Sequence, residues 1–461
     1  MSNSNSANRM GTMPVKNLLI SMGIPIILSM MLQAVYNIVD SAFVANIPDI
    51  GESALNALTL AFPVQMLMVA ISIGTGVGTN ALLAKSLGEG KQEKASKVAG
   101  NSIFLCIVIF IVFLLFGIFG AEAYIKSQTK NDLISGLAID YIKICCILSM
   151  GIVFFSIFEK LLQATGRSVY STISQVTGAV INIILDPILI FGYFGLPAFG
   201  VKGAAYATVI GQIASCLVGL FCHLKYNKEI KNGLSYMKPD LKIIGRIYSI
   251  GLPAIIAQAI TSVMTYFLNI IFVQINESVV TAYGLFYKIQ QFILFAAFGL
   301  RDSITPVISF NHGMHSKSRV NEAIRYGMMY TLAIMLIGLV ALELFAPQFA
   351  SLFDLSGQTQ SYCIDAMRIV SLSFLCAGAN VAFQGIFQAL DSGLESLVIS
   401  LCRQFVFVIP VAWGFSLIAK QNSDLTWLIW ITFFIAETLS MLIAMVFMKK
   451  IRKHKINILQ S

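Results

Sequence analysis

Residues 17–45 form a long apolar run, NLLISMGIPIILSMMLQAVYNIVDSAFVA, which contains a single carboxylate, Asp40. A bilayer core about 30 Å thick is crossed by about 20 apolar residues in a helix, so this run predicts a membrane-spanning helix. A charged side chain at membrane depth costs roughly 2.5–3.5 kcal/mol on insertion scales, and it is tolerated mainly where it faces a bundle interior or a wet cavity. Asp40 therefore indicates a polar site inside a helical bundle.

The rest of the chain has the same apolar character. Its 461 residues are 57% hydrophobic and 11% charged, whereas soluble domains average about 25% charged residues. The sequence predicts an all-α polytopic membrane protein, because twelve segments are long and apolar enough to span a bilayer. The predicted spans are 17–45, 55–84, 98–120, 136–164, 169–195, 200–224, 243–274, 279–311, 321–346, 362–389, 394–418 and 425–448.

Basic residues predict the orientation in the membrane. The leader before residue 17 is short and polar and lacks the pattern of a cleavable signal peptide. With the N-terminus inside, most Lys and Arg residues fall in inner loops and tails, and the outer loops hold Lys126, Lys130, Lys202 and Lys420. This positive-inside pattern predicts a membrane protein with both termini cytoplasmic. It also accounts for the net charge of +9, so no nucleic-acid partner is expected.

An internal duplication relates the two halves of the chain. Several segments share one offset of 225 residues, and an early pair is offset by 228. The matching pairs are AIDYIKICCILS (138–149) with CIDAMRIVSLS (363–373), LLQATG (161–166) with IFQALD (386–391), Gly88 with Gly313, and SMGIPIILSMM (21–31) with SIGLPAIIAQA (249–259). Each half holds six predicted spans, so the copies begin on the same side and form parallel repeats around a central cavity.

The duplication predicts five regions in the chain. They are a cytoplasmic N-terminal tail (1–16), an N-lobe of helices 1–6 (17–224), a cytoplasmic basic linker (225–242), a C-lobe of helices 7–12 (243–448) and a basic cytoplasmic tail (449–461).

A second carboxylate, Asp186, lies in the apolar run INIILDPILIFG (181–192). Both carboxylates are missing from the second copy of the repeat, where Leu268 corresponds to Asp40 and Val411 corresponds to Asp186. Since the fold accepts hydrocarbon at these positions, the aspartates need a reason beyond the scaffold.

Polar neighbours share the helix faces of these aspartates. Asn182 precedes Asp186 by one helical turn, and Pro187 leaves a backbone carbonyl without its helical donor. Thr208 on span six adds a hydroxyl. On span one, helical spacing places four polar residues on one face, namely Gln33, Tyr36, Asn37 and Asp40. Oxygen groups of this kind suit Na⁺ or a proton rather than a soft metal.

The ordered set of segments resembles the multidrug and toxic compound extrusion (MATE) family, and within it a DinF/MepA-like bacterial branch. The resemblance covers nearly the whole chain and implies a location in a bacterial plasma membrane. It is carried by GIPIILSMMLQAVYNIVDSAFVA, SLGEGKQEKA, LLQATG, INIILDPILIFG and GVKGAAYAT. It implies cation-coupled efflux through an N-lobe site, whose four positions are matched by Asp40, Asn182, Asp186 and Thr208. The acidic C-lobe position of other branches has no recognisable match in Asp365 or Glu437.

We therefore expect a secondary transporter that exports cationic or amphipathic organic compounds. A proton or Na⁺ competes with the drug for the carboxylates, and alternating access releases each on the opposite side. The four matched residues would hold Na⁺ if sodium is the coupling ion. Gln33, Tyr36, Asn37 and Asp40 are expected to contact substrate. Gly23 and Pro25 are expected to form a hinge in span one, and the protein is expected to be a monomer without a cofactor.

Two other classes of protein compete with this prediction. A flippase for lipid-linked saccharide precursors, from the same superfamily, would need a cavity lined with basic residues. A membrane enzyme is not expected, because no HEXXH, GXSXG or phosphate-binding GXXXXGK motif is present. The roles of several charged residues stay open. Lys288, Arg301 and Asp302 are expected to include a local ion pair, and Glu159 and Lys160 are expected at the membrane interface.

Overall fold

The computed structural model describes residues 9–351 and 357–459 and contains no strand in these ranges. Ten helices are long and apolar enough to cross a membrane, and two bent helix pairs raise the number to twelve. The described helices are α1 (Val15–Ala45), α2 (Gly51–Gly88), α3 (Gln92–Lys126), α4 (Asp132–Ile147 with Met150–Ala164), α5 (Ser168–Phe191), α6 (Val201–Tyr226), α7 (Leu241–Val273), α8 (Glu277–Gly313), α9 (Lys317–Ser351), α10 (Gly357–Ser371 with Phe374–Ala389), α11 (Gly393–Gln421) and α12 (Ser423–Ile456). The predicted all-α membrane fold is confirmed.

The backbone preserves the register of the duplication. The bent pairs are the fourth helix of each half, with angles of 46° in α4 and 55° in α10. After α2 and α8, the chain turns through a left-handed residue, Gly90 (φ 71°) and His315 (φ 57°), which are 225 positions apart. The amide of the next residue then donates back to the helix end, from Lys91 to Ser86 (3.0 Å) and from Ser316 to Asn311 (3.1 Å). Such helix ends favour glycine. The second copy keeps the same left-handed backbone although a histidine has replaced the glycine, so the two halves share a backbone geometry and not only a residue type.

The chain forms two compact units. The first contains Leu28–Ile255, and the second contains Met10–Ile27 together with the chain from Ile256 onward. The units therefore differ from the predicted lobes, because α1 and α7 each belong partly to both. The divisions within α1 and α7 each fall two residues after a proline of the duplicated segment, Pro25 or Pro253.

The second unit has a core rich in aromatic side chains. Phe272 packs edge-on against Trp430 with ring centroids 5.8 Å apart, and Tyr283 stacks on Phe433 at 6.0 Å. Phe272, Tyr283 and Trp430 are at most 1% exposed. Large rings bury much apolar area and prefer these offset geometries, so they join α7, α8 and α12 into one packed body.

Candidate functional site

Close packing of α5 on α6 positions two of the predicted site residues, Asn182 and Thr208. Gly178 faces Gly211, and a Cβ on Gly178 would lie 2.5 Å from the Gly211 carbonyl oxygen. Ser174 Oγ donates to the Ser215 carbonyl at 2.5 Å. Small residues let two membrane helices approach each other and satisfy polar groups between them. The approach brings Asn182 of α5 and Thr208 of α6 to the same cavity.

We expect Gly178→Ala to destabilise the protein by about 1–3 kcal/mol, the usual cost of overpacking a well-packed interior. The new methyl group would overlap the Ser215 hydroxyl and the Gly211 backbone, and a backbone atom cannot move aside cheaply. Thermal unfolding of the purified protein measures the effect. Gly414→Ala is the matched control, because nothing lies within 4 Å of its Cβ position. Equal melting temperatures for the two variants would contradict this packing.

The carboxyl groups of Asp40 of α1 and Asp186 of α5 are neighbours that interact with each other. Asp186 is fully buried and Asn182 is 3% exposed. The Asn182 amide Nδ2 donates to Asp186 Oδ1 at 3.3 Å. The structure therefore brings together three of the four residues predicted for ion coupling. Two ionised carboxylates this close would repel strongly, so the pair requires a shared proton or a cation.

Three oxygen atoms in this cluster accept no hydrogen bond from any described residue. They are Asp40 Oδ1, Asn182 Oδ1 and Asp186 Oδ2, and all three are buried. Buried polar atoms almost always have a partner, and an exception indicates a water, an ion or a functional role. Two carboxylate oxygens and an amide oxygen are ligands suited to a hard monovalent cation. The residues thus fit Na⁺ as well as a proton.

A small cavity of about 40 Å³ adjoins the carboxylates within the first unit. A water needs about 10–15 Å³, so the cavity has room for a few waters or a small polar group. Four residues predicted from the sequence line it, namely Gln33, Tyr36, Asn182 and Thr208. Thr208 is half-buried and reaches this cavity rather than the carboxylate pair.

Two glutamines of this cavity were missed in the sequence. Gln175 of α5 donates from Nε2 to Gln33 Oε1 at 2.8 Å and so ties α5 to α1, and Gln212 of α6 also lines the cavity. Their spacing was an available indication, because Gln175 precedes Asn182 by two helical turns and Gln212 follows Thr208 by one. Asn37 does not line the cavity; its side chain is exposed.

The second unit carries a buried ion pair at the positions that correspond to this cavity. At an offset of 225, Arg403 corresponds to Gly178 and Glu437 corresponds to Gln212. Arg403 Nη2 lies 2.6 Å from Glu437 Oε1, and its Nε contacts both carboxylate oxygens at 3.0 and 3.1 Å. Asn380 Nδ2 donates to Oε2 at 2.7 Å. Glu437 is thus neutralised by a fixed guanidinium, which gives a physical reason why this acid is no counterpart of Asp186.

The charged residues left open by the sequence now have positions. Arg301 and Asp302 form the expected ion pair at 2.9 Å, and Lys288 is exposed. Lys160 is only 3% exposed and donates to Gln163 Oε1 at 3.0 Å, so its side chain is buried within the protein. Gly76 of α2 makes this burial possible, since a Cβ there would lie 2.8 Å from the Lys160 side chain.

A long basic side chain also packs over a glycine in the second unit. Gly76 corresponds to Arg301 and Lys160 to Gly385 at an offset of 225, and a Cβ on Gly385 would lie 2.8 Å from the Arg301 side chain. In each unit one basic side chain therefore packs over one glycine between the second and fourth helices of the repeat. The fourth helix carries the cation in the first unit, and the second helix carries it in the second unit.

Comparison with known proteins agrees with this architecture. The MatE family pattern matches residues 25–188 and 253–413. Multidrug export protein MepA of Staphylococcus saprophyticus is 24% identical over 429 residues, which cover 93% of this chain and 92% of that protein. MepA of Staphylococcus aureus (strain MRSA252) is 25% identical over 448 residues, covering 95% and 94%. A solved outward-facing structure of a multidrug resistance MATE family transporter of the MOP superfamily superimposes with a TM-score of 0.89 at 24% identity, covering 98% of this chain and all of that one. With both halves of the chain matched, the protein belongs to the MatE family of multi-pass membrane transporters and is not an enzyme, as its sequence predicted.

Proposed function

We propose that this protein exports cationic or amphipathic organic compounds by antiport with Na⁺ or H⁺. The observation that carries the proposal is the Asp40–Asp186 pair, in which one oxygen of each carboxylate and the amide oxygen of Asn182 are buried and accept no hydrogen bond from a described residue. The export function of the MepA proteins, as their names state it, supports the substrate class.

Competition for one site is sufficient to couple the two fluxes. A bound Na⁺ or proton neutralises the carboxylates, and an organic cation does the same from the adjoining cavity. A ligand shifts a conformational equilibrium only through its different affinity for the two states. If each access state favours a different occupant of the pair, loading one cation on one side favours release of the other on the opposite side.

The divisions after Pro25 and Pro253 support alternating access through two hinged helices. A proline cannot donate to the carbonyl four residues before it, so α1 near Ser21 and α7 near Ser249 lack one helical hydrogen bond each. Both helices belong partly to each of the two units, so a bend near either proline would lie close to the division between them. Gly23 also has a packing role, because its Cβ position lies 2.9 Å from Leu300 Cδ2 of α8.

Pro25→Ala is expected to slow transport without unfolding the protein. Alanine restores the missing donor and strengthens α1 by about 1 kcal/mol of hydrogen bonding, which corresponds to about a fivefold loss of the bent form. Dye efflux from reconstituted vesicles measures the rate, and thermal unfolding measures stability. Gly23→Ala is the companion variant with a smaller expected effect, because the clash involves the movable end of Leu300. A Pro25→Ala protein with the wild-type rate would remove Pro25 from the hinge.

The decisive experiment varies the Na⁺ and pH gradients independently in vesicles that contain the purified protein. Efflux of a cationic dye should respond to one imposed gradient and, in return, an outward dye gradient should drive the coupling ion inward. A response to Na⁺ alone would assign sodium, and a response to pH alone would assign protons. Failure with several dyes under both gradients would reject drug antiport and favour the flippase. The neutral lining of the small cavity argues against a pyrophosphate-bearing substrate there.

A further inference from the structure

A second, strongly basic cavity lies in the first unit, away from the carboxylates. It has a volume of about 660 Å³ and is formed by the turn after α2, the first turns of α3 and the start of α7. Five cations and two acids line it, namely Lys91, Lys94, Lys97, Lys242, Arg246, Glu93 and Asp240. The ion-coupling mechanism uses none of them.

The acidic groups near this cavity pair with three of its lysines or cap a helix, and they leave two of the five cations without an acidic partner among the described residues. Glu89 pairs with Lys91 at 2.9 Å and with Lys94 at 3.5 Å, and Glu93 pairs with Lys97 at 3.3 Å. Asp240 Oδ1 accepts from the Lys242 amide at 2.9 Å and so caps α7. The side chains of Lys242 and Arg246 are exposed, and neither forms an ion pair with any residue in the described part of the chain.

The linker between the halves holds the wall of this cavity in place. Ser96 Oγ accepts from the Lys231 amide at 2.8 Å, and Asn101 Oδ1 accepts from the Asp240 amide at 2.8 Å. Gly100 allows the Tyr236 carbonyl to approach α3, at a point where a Cβ would overlap it. The predicted linker is therefore fixed to α3 rather than loosely tethered, and the five cations share a preformed surface.

The position of this cavity along the helices matches the depth of lipid head groups. The apolar run of α3 begins near residue 98 and that of α7 near residue 243, directly beside the lining cations. Basic residues at the ends of membrane helices lie at the head-group level and attract anionic lipids. We propose that the cavity binds the phosphodiester head group of an anionic phospholipid, with Lys242 and Arg246 as its main contacts.

The test is lipid-dependent stabilisation of the purified full-length protein. Short-chain phosphatidylglycerol should raise the melting temperature in a saturable manner, because a ligand that binds only the folded state stabilises it. The zwitterionic phosphatidylcholine of equal chain length should not. The double variant K242Q/R246Q should need at least about tenfold more phosphatidylglycerol for half of the effect, since two charges of about 1 kcal/mol each are removed.

The control variant is K449Q/K450Q, which removes two exposed lysines at the end of α12 that do not line this cavity. It should keep the response of the unaltered protein. The proposal is overturned if phosphatidylglycerol gives no saturable shift, or if both double variants lose it equally. Inorganic phosphate is the third arm: a shift with phosphate alone that K242Q/R246Q abolishes would assign the cavity to a soluble anion instead of a lipid. None of these measurements depends on transport, so the result is independent of the proposed antiport.

Discussion

Asp40→Asn is expected to reduce ion-driven efflux strongly and to leave the protein folded. The amide has the shape of the carboxylate but neither binds a proton nor carries a charge. With one of the two carboxylates gone, Na⁺ or H⁺ and the drug no longer compete for the same pair. Coupling energies between two ligands are typically about 1–3 kcal/mol, which corresponds to a factor of about 5 to 150. We therefore expect the rate of gradient-driven dye efflux to decrease by about 5- to 150-fold.

The matched control for this prediction is Asp140→Asn in the same unit. Asp140 forms a partly exposed ion pair with Lys202 at 3.1 Å, and such surface pairs contribute about 0–1 kcal/mol. The control should therefore transport normally. Thermal unfolding distinguishes lost coupling from lost folding in both variants. An Asp40→Asn protein that still pumps dye with a full gradient response would remove the carboxylate pair from the mechanism.

The second large effect is expected at the buried Arg403–Glu437 pair. Removal of one partner from a buried ion pair costs about 3–5 kcal/mol, because the other charge stays buried without compensation. Arg403→Gln and Glu437→Gln should each lower the stability of the protein by that amount. The double variant should lose clearly less than the sum of the two single losses, since no charge is then left alone. Chemical unfolding of the unaltered protein, the two single variants and the double variant forms a double-mutant cycle, which measures the interaction free energy between Arg403 and Glu437.

Transport by the double variant tests where ion coupling occurs. Arg403 and Glu437 belong to the second unit, whereas Asp40 and Asp186 belong to the first. We expect R403Q/E437Q to keep gradient-driven efflux once it is folded. If it folds but no longer couples dye efflux to the ion gradient, Glu437 takes part in coupling and the first unit does not act alone. Additive losses of stability would instead show that the two side chains do not depend on each other.

The fold could be predicted because its determinants are local. Hydropathy along the chain identified twelve spans, and the duplication set their order in two copies. The bends in α4 and α10 were not predicted, since no proline marks either break. They became visible only as backbone geometry that both halves share. Pro25 and Pro253 could be noticed as a matching pair, but their position beside the divisions between the compact units could not.

The candidate site was predicted in part for a similar reason. Asp40, Asn182 and Asp186 are conspicuous because polar groups are costly in apolar helices. Gln175 and Gln212 lie in equally apolar helices but are uncharged, so they were overlooked. An interfacial position is predicted for Lys160 because it lies beside Glu159 near the end of span four. The structure buries it over Gly76, a residue 84 positions earlier in the chain.

The sequence by itself determined that this protein is a two-repeat helical membrane protein with two aspartates, Asp40 and Asp186, inside apolar runs of its first half. Those conclusions follow from the cost of placing charge in hydrocarbon and from the register of the repeat, and both are properties of the chain read along its length. Only the tertiary structure decided that Asp40 lies beside Asp186 and that Arg403 neutralises Glu437 in the other unit. It also showed that one buried oxygen of each aspartate and the amide oxygen of Asn182 accept no hydrogen bond from the described residues. These are contacts between helices distant in sequence, and they depend on how closely glycine-lined surfaces such as Gly178 and Gly211 let the helices approach.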